Sequence, residues 1–344
     1  MTPILLLAAH MAVAQAPAPE EAFYRAGVDT DQAVWGMRDG IRLSIWPNSV
    51  TEGPDPGGPR GLLQIGYPIL ADGGCGLVNY IAIEPLVAGS HWRSYSELEH
   101  SKSDGAPGML IEAGPPPGVE WEGPEGAVYP GHVEQLTGYA RLSLCLRVEA
   151  FESGAHVYLV AAFRSDRPDE VELRSYREEG SVELDSCILT ATMGNYERLR
   201  VLHLKDRVLT AQELYGEYDG TGFAAHTVVP VGDIPRTPEG DILIAATSDE
   251  EDPAATHPHP DLPWFWYYPG RKVTQYWRKP AEDVGDDLRA QVNARRVYWA
   301  SEWPIPGGVS FENFELVEEF RPGRALVFGI TPQEPAELLA LPEE

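Results

Sequence analysis

Residues 140–163, ARLSLCLRVEAFESGAHVYLVAAF, carry the clearest indication of the fold. Apolar and polar side chains alternate over residues 140–149, and a second apolar run follows over residues 156–163. Successive side chains of a β-strand point to opposite sides of a sheet, so this alternation favours strands over helices. The Glu-Ser-Gly segment between the two runs is typical of a turn. The stretch therefore predicts two strands separated by a turn.

The same period of two recurs along most of the chain, between clusters of glycine, proline and aspartate. The predicted strands are residues 41–46, 62–67, 77–83, 140–149, 156–163, 171–176, 182–192, 198–204, 242–247, 272–278, 296–300, 311–317 and 325–330. Short helices are expected at 210–215, where Thr210 and Glu213 have capping-box spacing, and at 335–341. Because the strands are many, closely spaced and not interleaved with helices, the sequence predicts an all-β fold. We expect a large antiparallel β-sandwich with a few short helices, for which the supersandwich is one candidate form.

The start of the chain has the composition of a secretory signal. Residues 1–16 carry no charged side chain, contain an apolar run at 4–13 and end in the tripeptide AQA at 14–16, an A-x-A cleavage pattern. The apolar run is shorter than the roughly 20 residues that a membrane span requires. We therefore expect residues 1–16 to be a signal peptide and residues 20–344 to form a single β-sandwich domain. The mature protein is then secreted or periplasmic and has no membrane span.

Charge and motif content exclude several classes of partner and chemistry. The chain has 26 basic and 53 acidic residues and a formal net charge of -27, which repels nucleic acid and anionic lipid headgroups. The sequence contains no zinc-type cysteine or histidine spacing, no nucleotide-binding glycine motif and no serine-hydrolase or zincin motif. We therefore predict no nucleic-acid partner, no metal and no cofactor, and the oligomeric state stays open.

Aromatic residues are concentrated between residues 264 and 303. Aromatic faces stack on the C–H faces of sugar rings and exclude water from the contact. We predict that Trp266, Trp277 and Trp299 form the platform of a carbohydrate site, and that Arg60 binds the ligand there. Core packing is the alternative role for about half of these rings, because alternate side chains of a strand face inward.

The segment PGGVSFENFE, residues 306–315, supplies the candidate catalytic acid. In an extended strand, Glu312 shares a face with the apolar side chains of Phe314 and Leu316. Burial of a carboxyl raises its pKa toward the range that a general acid or base requires. We predict Glu312 as that acid or base, and an ion pair with an arginine is the alternative role.

Two histidines and two arginines are candidates to act with Glu312. His203 lies in an apolar strand-like run and His226 lies in a loop. We predict one of them as the proton partner, although a lone histidine in a strand is more often a buried structural residue. Arg278 or Arg60 would hold an acidic group of the substrate.

A second group of acids lies earlier in the chain. Tyr95, Glu97 and Glu99 share one face of an extended segment, and two carboxylates there can divide acid and base roles around a sugar. A solvated strand face is the more common outcome of that spacing. Glu84 follows an apolar run and is the better candidate for a partly buried acid.

Five phrases of the sequence carry a resemblance to known proteins. They are WGMRDGI at 35–41, GPRGL at 58–62, NYIAIEP at 79–85, KVTQYWR at 272–278 and PGGVSFENFE at 306–315. Over most of the mature chain the sequence resembles a family of exported bacterial β-rich proteins, which implies export but no particular activity. It is more distantly similar to galactose-mutarotase-like supersandwich proteins, whose late catalytic glutamate would correspond to Glu312. The paired catalytic histidines of those proteins have no matching motif here.

The sequence leaves two main hypotheses for function, and a weaker third one is a calcium-stabilised scaffold around the acidic residues 249–252. The first is an exported carbohydrate-active protein that performs acid/base catalysis of lyase, hydrolase or epimerase type on a polysaccharide or sugar. The second is a non-catalytic glycan-binding or cell-surface structural protein. The enzyme requires Glu312, a histidine and an arginine to converge in one cleft, whereas the binding protein requires only exposed aromatic side chains.

Overall fold

The fold is an all-β sandwich with a few short helices, as the sequence predicts. The computed structural model describes residues 19–51, 58–124 and 126–339. The predicted signal peptide, residues 1–16, lies outside the described residues. The supersandwich form stays a prediction.

The strands of the described residues are numbered in chain order. They are β1 Phe23–Tyr24, β2 Val34–Met37, β3 Arg42–Ile45, β4 Leu62–Pro68, β5 Cys75–Val87, β6 Ile111–Gly114, β7 His132–Gln135, β8 Ala140–Val148, β9 Val157–Arg164, β10 Arg167–Arg177, β11 Leu184–Ala191, β12 Leu199–His203, β13 Val208–Thr210, β14 Thr227–Pro230, β15 Ile242–Ser248, β16 Thr274–Lys279, β17 Arg289–Arg295, β18 Ser310–Val317 and β19 Ala325–Thr331.

These strands form two antiparallel sheets. Within the described residues, the first sheet has nine strands in the order β1-β2-β3-β4-β5-β11-β18-β17-β14. The second has the order β13-β12-β15-β16-β19-β10-β9-β8-β6, and β7 also pairs with β8. Strands β8 and β9, which contain the alternating stretch that opens the sequence argument, pair directly from Arg141 opposite Arg164 to Arg147 opposite Tyr158.

The helices are short. They are α1 Gly194–Glu197, α2 Ala211–Tyr215 and α3 Pro335–Leu338. The predicted capping box of α2 is confirmed, because the Thr210 side chain accepts from the Glu213 backbone and the Glu213 side chain accepts from the Thr210 backbone. Among the described residues, none of the helices has both the length and the apolar character that crossing a membrane demands.

The strand predicted at 296–300 is wrong. Strand β17 ends at Arg295, and the chain then turns, with Ala300 in the left-handed region at φ 54°. Val297 makes only an isolated bridge to Pro304. Tyrosine and tryptophan fit a pleated, half-buried surface, so their presence at 298 and 299 mimics a strand. Here Tyr298 lies in an irregular segment and its side chain is buried, whereas the side chain of Trp299 is 43% exposed.

One hydrophobic core lies between the two sheets, and strand β16 of the second sheet is hydrogen-bonded across it. The indole Nε1 of Trp277 donates to the carbonyl oxygen of Phe314 in β18, 2.8 Å away. Two residues earlier, the Gln275 side chain accepts from Asn79 in β5 at 2.7 Å. Residues two apart in a strand share a face. The inward face of β16 therefore holds both sheets together with a polar and an aromatic side chain.

A buried carboxyl completes this polar link. Glu197 of α1 accepts from the Gln275 side chain and from the backbone N–H of Val273, each at 2.8 Å. Burial raises the pKa of Glu197 to about 8, against the effect of these two hydrogen bonds. The buried amide and carboxyl groups are thus paired inside an apolar core, where an unpaired polar group is costly.

Replacing Trp277 by alanine is expected to lower the free energy of unfolding by about 3–5 kcal/mol, because it empties a fully buried site. Trp277→Phe should cost about 1–3 kcal/mol, because the hydrogen bond between the sheets is lost. Urea denaturation measures both, with Trp299→Ala as the exposed control. A Trp277→Ala midpoint equal to that of Trp299→Ala would show that the link does not stabilise the sandwich.

Candidate functional site

An aromatic groove lies at the turn that follows β17. It has a volume of about 690 Å³, within the roughly 300–1,000 Å³ range typical of small-molecule sites. We call it the aromatic groove and define it by Phe265, Trp266, Trp299, Glu302 and Trp303, which line it together with two prolines and two small residues. The groove is a candidate binding site because several aromatic side chains line it.

Two chain segments place these rings. The first is the 3₁₀ helix Trp264–Trp266, whose three residues project in three directions because the turn repeats every three residues. Trp266 points inward, 7% exposed, and its ring lies 5.0 Å from that of Tyr298. Phe265 stays 51% exposed. This segment therefore contributes one buried ring, Trp266, and one exposed ring, Phe265, to the groove.

The second segment is the turn at 299–304. The left-handed backbone of Ala300 reverses the chain directly after Trp299 and leaves that ring 43% exposed. Trp303 is held by a stacked His259, with 3.8 Å between the ring centroids. Among the described lining residues, only Glu302 carries a charge. The lining of the groove is therefore mostly apolar and includes one acid.

The structure places two of the three predicted platform residues, Trp266 and Trp299, at this groove. Trp277 is fully buried and belongs to the core, so it is not part of an exposed platform. Arg60 does not line the groove. Its guanidinium pairs with Asp104 at 2.9 Å and lies 4.8 Å from the centre of the Trp46 ring.

Glu312 is buried in β18, as the alternation predicts. It lies where the pairing of β17 and β18 shifts register, and its carboxyl accepts a hydrogen bond from the backbone of Asn195. Burial raises the pKa of Glu312 to about 8, and the charge of Arg295 opposes this rise. One carboxyl oxygen of Glu312 and both amide atoms of Asn195 have no hydrogen-bond partner among the described residues.

The other predicted catalytic residues lie elsewhere. His203 is on β12 of the second sheet, where Nε2 lies 2.9 Å from the Thr247 hydroxyl and burial lowers its pKa. Arg278 is nearly buried and ion-paired with both Glu170 and Asp241, at 2.5 and 2.6 Å. It is therefore not free to hold an acidic group of a substrate. His226 lies against the first sheet, with Nε2 3.7 Å from Glu315.

Among the described contacts, none joins Glu312 to His203, His226 or Arg278. The convergence that the catalytic hypothesis requires is therefore not observed for these four residues. Nor do three or more histidine, cysteine or acidic side chains come together in the described residues in a way that could hold a metal ion.

The structure also assembles a cluster that the sequence analysis names only in part. Arg93 bonds Glu84 through Nη1 and Glu315 through Nη2, each at 2.8 Å. Burial, followed by the charges of Glu315 and Glu97, raises the pKa of Glu84 to about 8. Sequence reasoning identified Glu84 but missed Arg93 and Glu315. The position of Glu315 beside Asn313 on one strand face is a weak signal for its role, and Arg93 has none.

Comparison with protein-family models, with curated proteins and with solved structures finds no match for this chain. The resemblances to exported bacterial proteins and to galactose-mutarotase-like proteins therefore stay predictions. Function is inferred from the geometry of the sites themselves.

Glu312→Gln should make stability less dependent on pH. The pKa of Glu312 is about 8 in the folded protein and near 4.5 when unfolded, so the folded state holds this proton more tightly. Its contribution to stability is complete below about pH 4.5 and is lost as the pH rises toward 8. Between pH 5 and pH 8, the wild type should lose at least about 1 kcal/mol more than the variant. Urea midpoints measure this, with exposed Glu179→Gln as the control, and parallel profiles for wild type and Glu312→Gln would contradict it.

Proposed function

We propose that this protein is an exported carbohydrate-binding protein that holds a neutral glycan chain in the aromatic groove. The observation that carries the proposal is the pair of exposed rings, Phe265 and Trp299, which line one groove together with the buried ring of Trp266. Anchored and free aromatic rings give a sugar flat apolar faces to stack on. Export is proposed from residues 1–16, which lie outside the described structure.

The charge of the groove favours a neutral ligand. Its described lining contains an acid, Glu302, and no basic side chain. The formal net charge of the chain is -27, which adds a general repulsion for uronic acids. Arg60 and Arg278, the predicted partners of an acidic sugar, are instead bound to carboxylates elsewhere. A glycan without carboxylates therefore suits this groove best.

The groove does not have the groups for acid/base catalysis on a glycosidic bond. That chemistry uses two carboxyl groups on either side of the scissile bond. Glu302 is the one acid among the described lining residues. Binding without turnover is therefore the function we propose for the groove itself.

Trp299→Ala should weaken the binding of xylohexaose or cellohexaose by about tenfold or more, because it removes an exposed stacking face. The control is Trp121→Ala, since Trp121 is 38% exposed, close to the 43% of Trp299, and lies outside the groove. Isothermal titration calorimetry on the purified protein measures both. Because the ligand is neutral, affinity should be nearly constant between low and high salt.

Two results would count against this proposal. One is equal affinity in Trp299→Ala and the wild type. The other is binding of oligogalacturonate in preference to the neutral hexaoses, since the groove offers no cation to an anionic sugar.

A further inference from the structure

Hydrogen bonds close the turn that carries two of the groove tryptophans. The backbone N–H of Tyr298 donates to the carbonyl oxygen of Trp303 at 3.1 Å. Inside the turn, the hydroxyl of Ser301 donates to the Tyr298 carbonyl oxygen at 2.9 Å and accepts from the N–H of Trp303 at 3.3 Å. A turn that is already ordered loses little conformational entropy when a ligand binds to it. Trp299 and Trp303 are therefore presented to a ligand in a preorganised arrangement.

Glu302 lies in the same turn and supplies an exposed carboxylate to the lining of the groove. Its side chain has no ion pair or hydrogen bond with any other of the described residues. The described lining also contains no basic side chain that could neutralise it. Glu84 and Glu315, by contrast, are both bonded to Arg93. The groove therefore carries a negative charge without a counter-charge from the described residues.

The aromatic rings of the groove are inclined to one another. The ring centroids of Phe265 and Trp266 lie 6.1 Å apart, and the two ring planes make an angle of 48°. A cation–π contact forms within about 6 Å of a ring centroid. One small cation can therefore lie within that distance of both rings at once.

We propose that the aromatic groove also binds a quaternary alkylammonium cation, whose charge lies over the faces of its aromatic rings and is balanced by Glu302. The negative faces of Trp and Phe rings attract a cation, and rings that surround it on several sides add their effects. The carboxylate contributes a direct charge attraction, and the formal net charge of -27 attracts cations from solution. This inference goes beyond the proposed binding of a glycan and does not depend on it.

The composition of the lining favours a quaternary ammonium over a primary one. A primary ammonium has three N–H donors, each of which needs an acceptor when water is removed. Glu302 is the one charged acceptor in the described lining, which is otherwise mostly aromatic rings and prolines. A quaternary ammonium has no N–H donor, and its methyl groups are apolar. It therefore loses fewer hydrogen bonds on entering this groove.

The first test compares choline with 3,3-dimethylbutan-1-ol, in which a carbon atom replaces the charged nitrogen and the shape is kept. Isothermal titration calorimetry on the full chain measures both affinities. Choline should bind about tenfold more tightly or better, because only choline has cation–π and charge contacts. Its affinity should fall as salt is added, since salt screens the attraction of an exposed carboxylate.

Two variants test the groups that hold the cation. Glu302→Gln should weaken choline binding about two- to fivefold, the size expected for an exposed charge pair. The control is Glu179→Gln, which removes an exposed acid outside the groove. Trp299→Ala should weaken choline binding about tenfold, because an aromatic face is lost. Its control is Trp121→Ala, which removes a ring of similar exposure outside the groove.

A methylated ammonium reaches the groove either as a free small molecule or as the headgroup of a lipid. Sedimentation with phosphatidylcholine vesicles distinguishes these sources. Vesicle binding that is lost in Trp299→Ala would assign the lipid headgroup as the ligand. Choline binding without vesicle binding would assign a free ligand.

Equal affinity of the wild type for choline and 3,3-dimethylbutan-1-ol would overturn this inference, as would wild-type choline affinity in Trp299→Ala. Choline should also displace xylohexaose, because both are proposed to use the same rings. Binding of both ligands without competition would place choline elsewhere and reject the inference.

The two proposals for the groove fail separately. Binding of xylohexaose without binding of choline would reject this inference and leave the proposed function standing. Binding of choline without binding of the neutral hexaoses would reject the proposed function and leave the cation site standing.

Discussion

The two sheets are held in one relative position by hydrogen bonds that cross an otherwise apolar core. Apolar packing between sheets is non-directional and tolerates sliding, whereas a buried hydrogen bond fixes the two groups it joins. Gln275 and Trp277 on β16 bond to Asn79 and to the Phe314 carbonyl of the first sheet. Phe314 lies between Glu312 and Glu315, so the same contacts that fix the sandwich also fix the strand that carries the ionisable groups.

Strands β17 and β18 and their connection combine two different environments. The turn between them contributes Trp299 and Trp303 to an apolar groove. The strands themselves contribute Gln291 and Glu315 to a polar face bound by Arg93. A β-hairpin separates two such environments because successive side chains of its strands point to opposite faces of the sheet. Its turn lies at the surface and can carry large side chains of its own. One hairpin therefore carries an aromatic groove at its turn and a buried network of hydrogen bonds and ion pairs on its strands.

The sequence predicts most of the long strands because their apolar period is a local property. Strands β8 and β9 follow from residues 140–163, and the capping box of α2 is visible in four residues. The sequence does not predict the short strands β1, β2, β6, β7, β13 and β14, nor the seven-residue strand β17. These segments are ordered by pairing with a neighbouring strand, and a local sequence pattern does not show that pairing. The turn at 296–300 was mistaken for a strand because its aromatic residues have strand-like composition. The composition of this segment is typical of a strand, but its place in the folded chain is a turn.

Less of the candidate functional site can be predicted from the sequence, because contacts between distant segments assemble it. Proximity of Trp266 and Trp299 followed from aromatic clustering, but the burial of Trp277 depends on its partner in the other sheet. Glu84 and His226 were each recognisable as chemically interesting residues. Their association depends on Arg93 and Glu315, which lie 222 residues apart in the chain. Only the folded sheet order brings them together.

The buried carboxyl groups also change how the whole molecule responds to protons. The pKa of Glu97 is raised to about 7, mainly by burial, and those of Glu84, Glu197 and Glu312 are each raised to about 8. The folded chain is therefore less negative near neutrality than its formal charge of -27. It takes up and releases protons in a range where ordinary acidic side chains have no buffering capacity. Its net charge at pH 7 should thus become more negative on unfolding, when these four groups ionise.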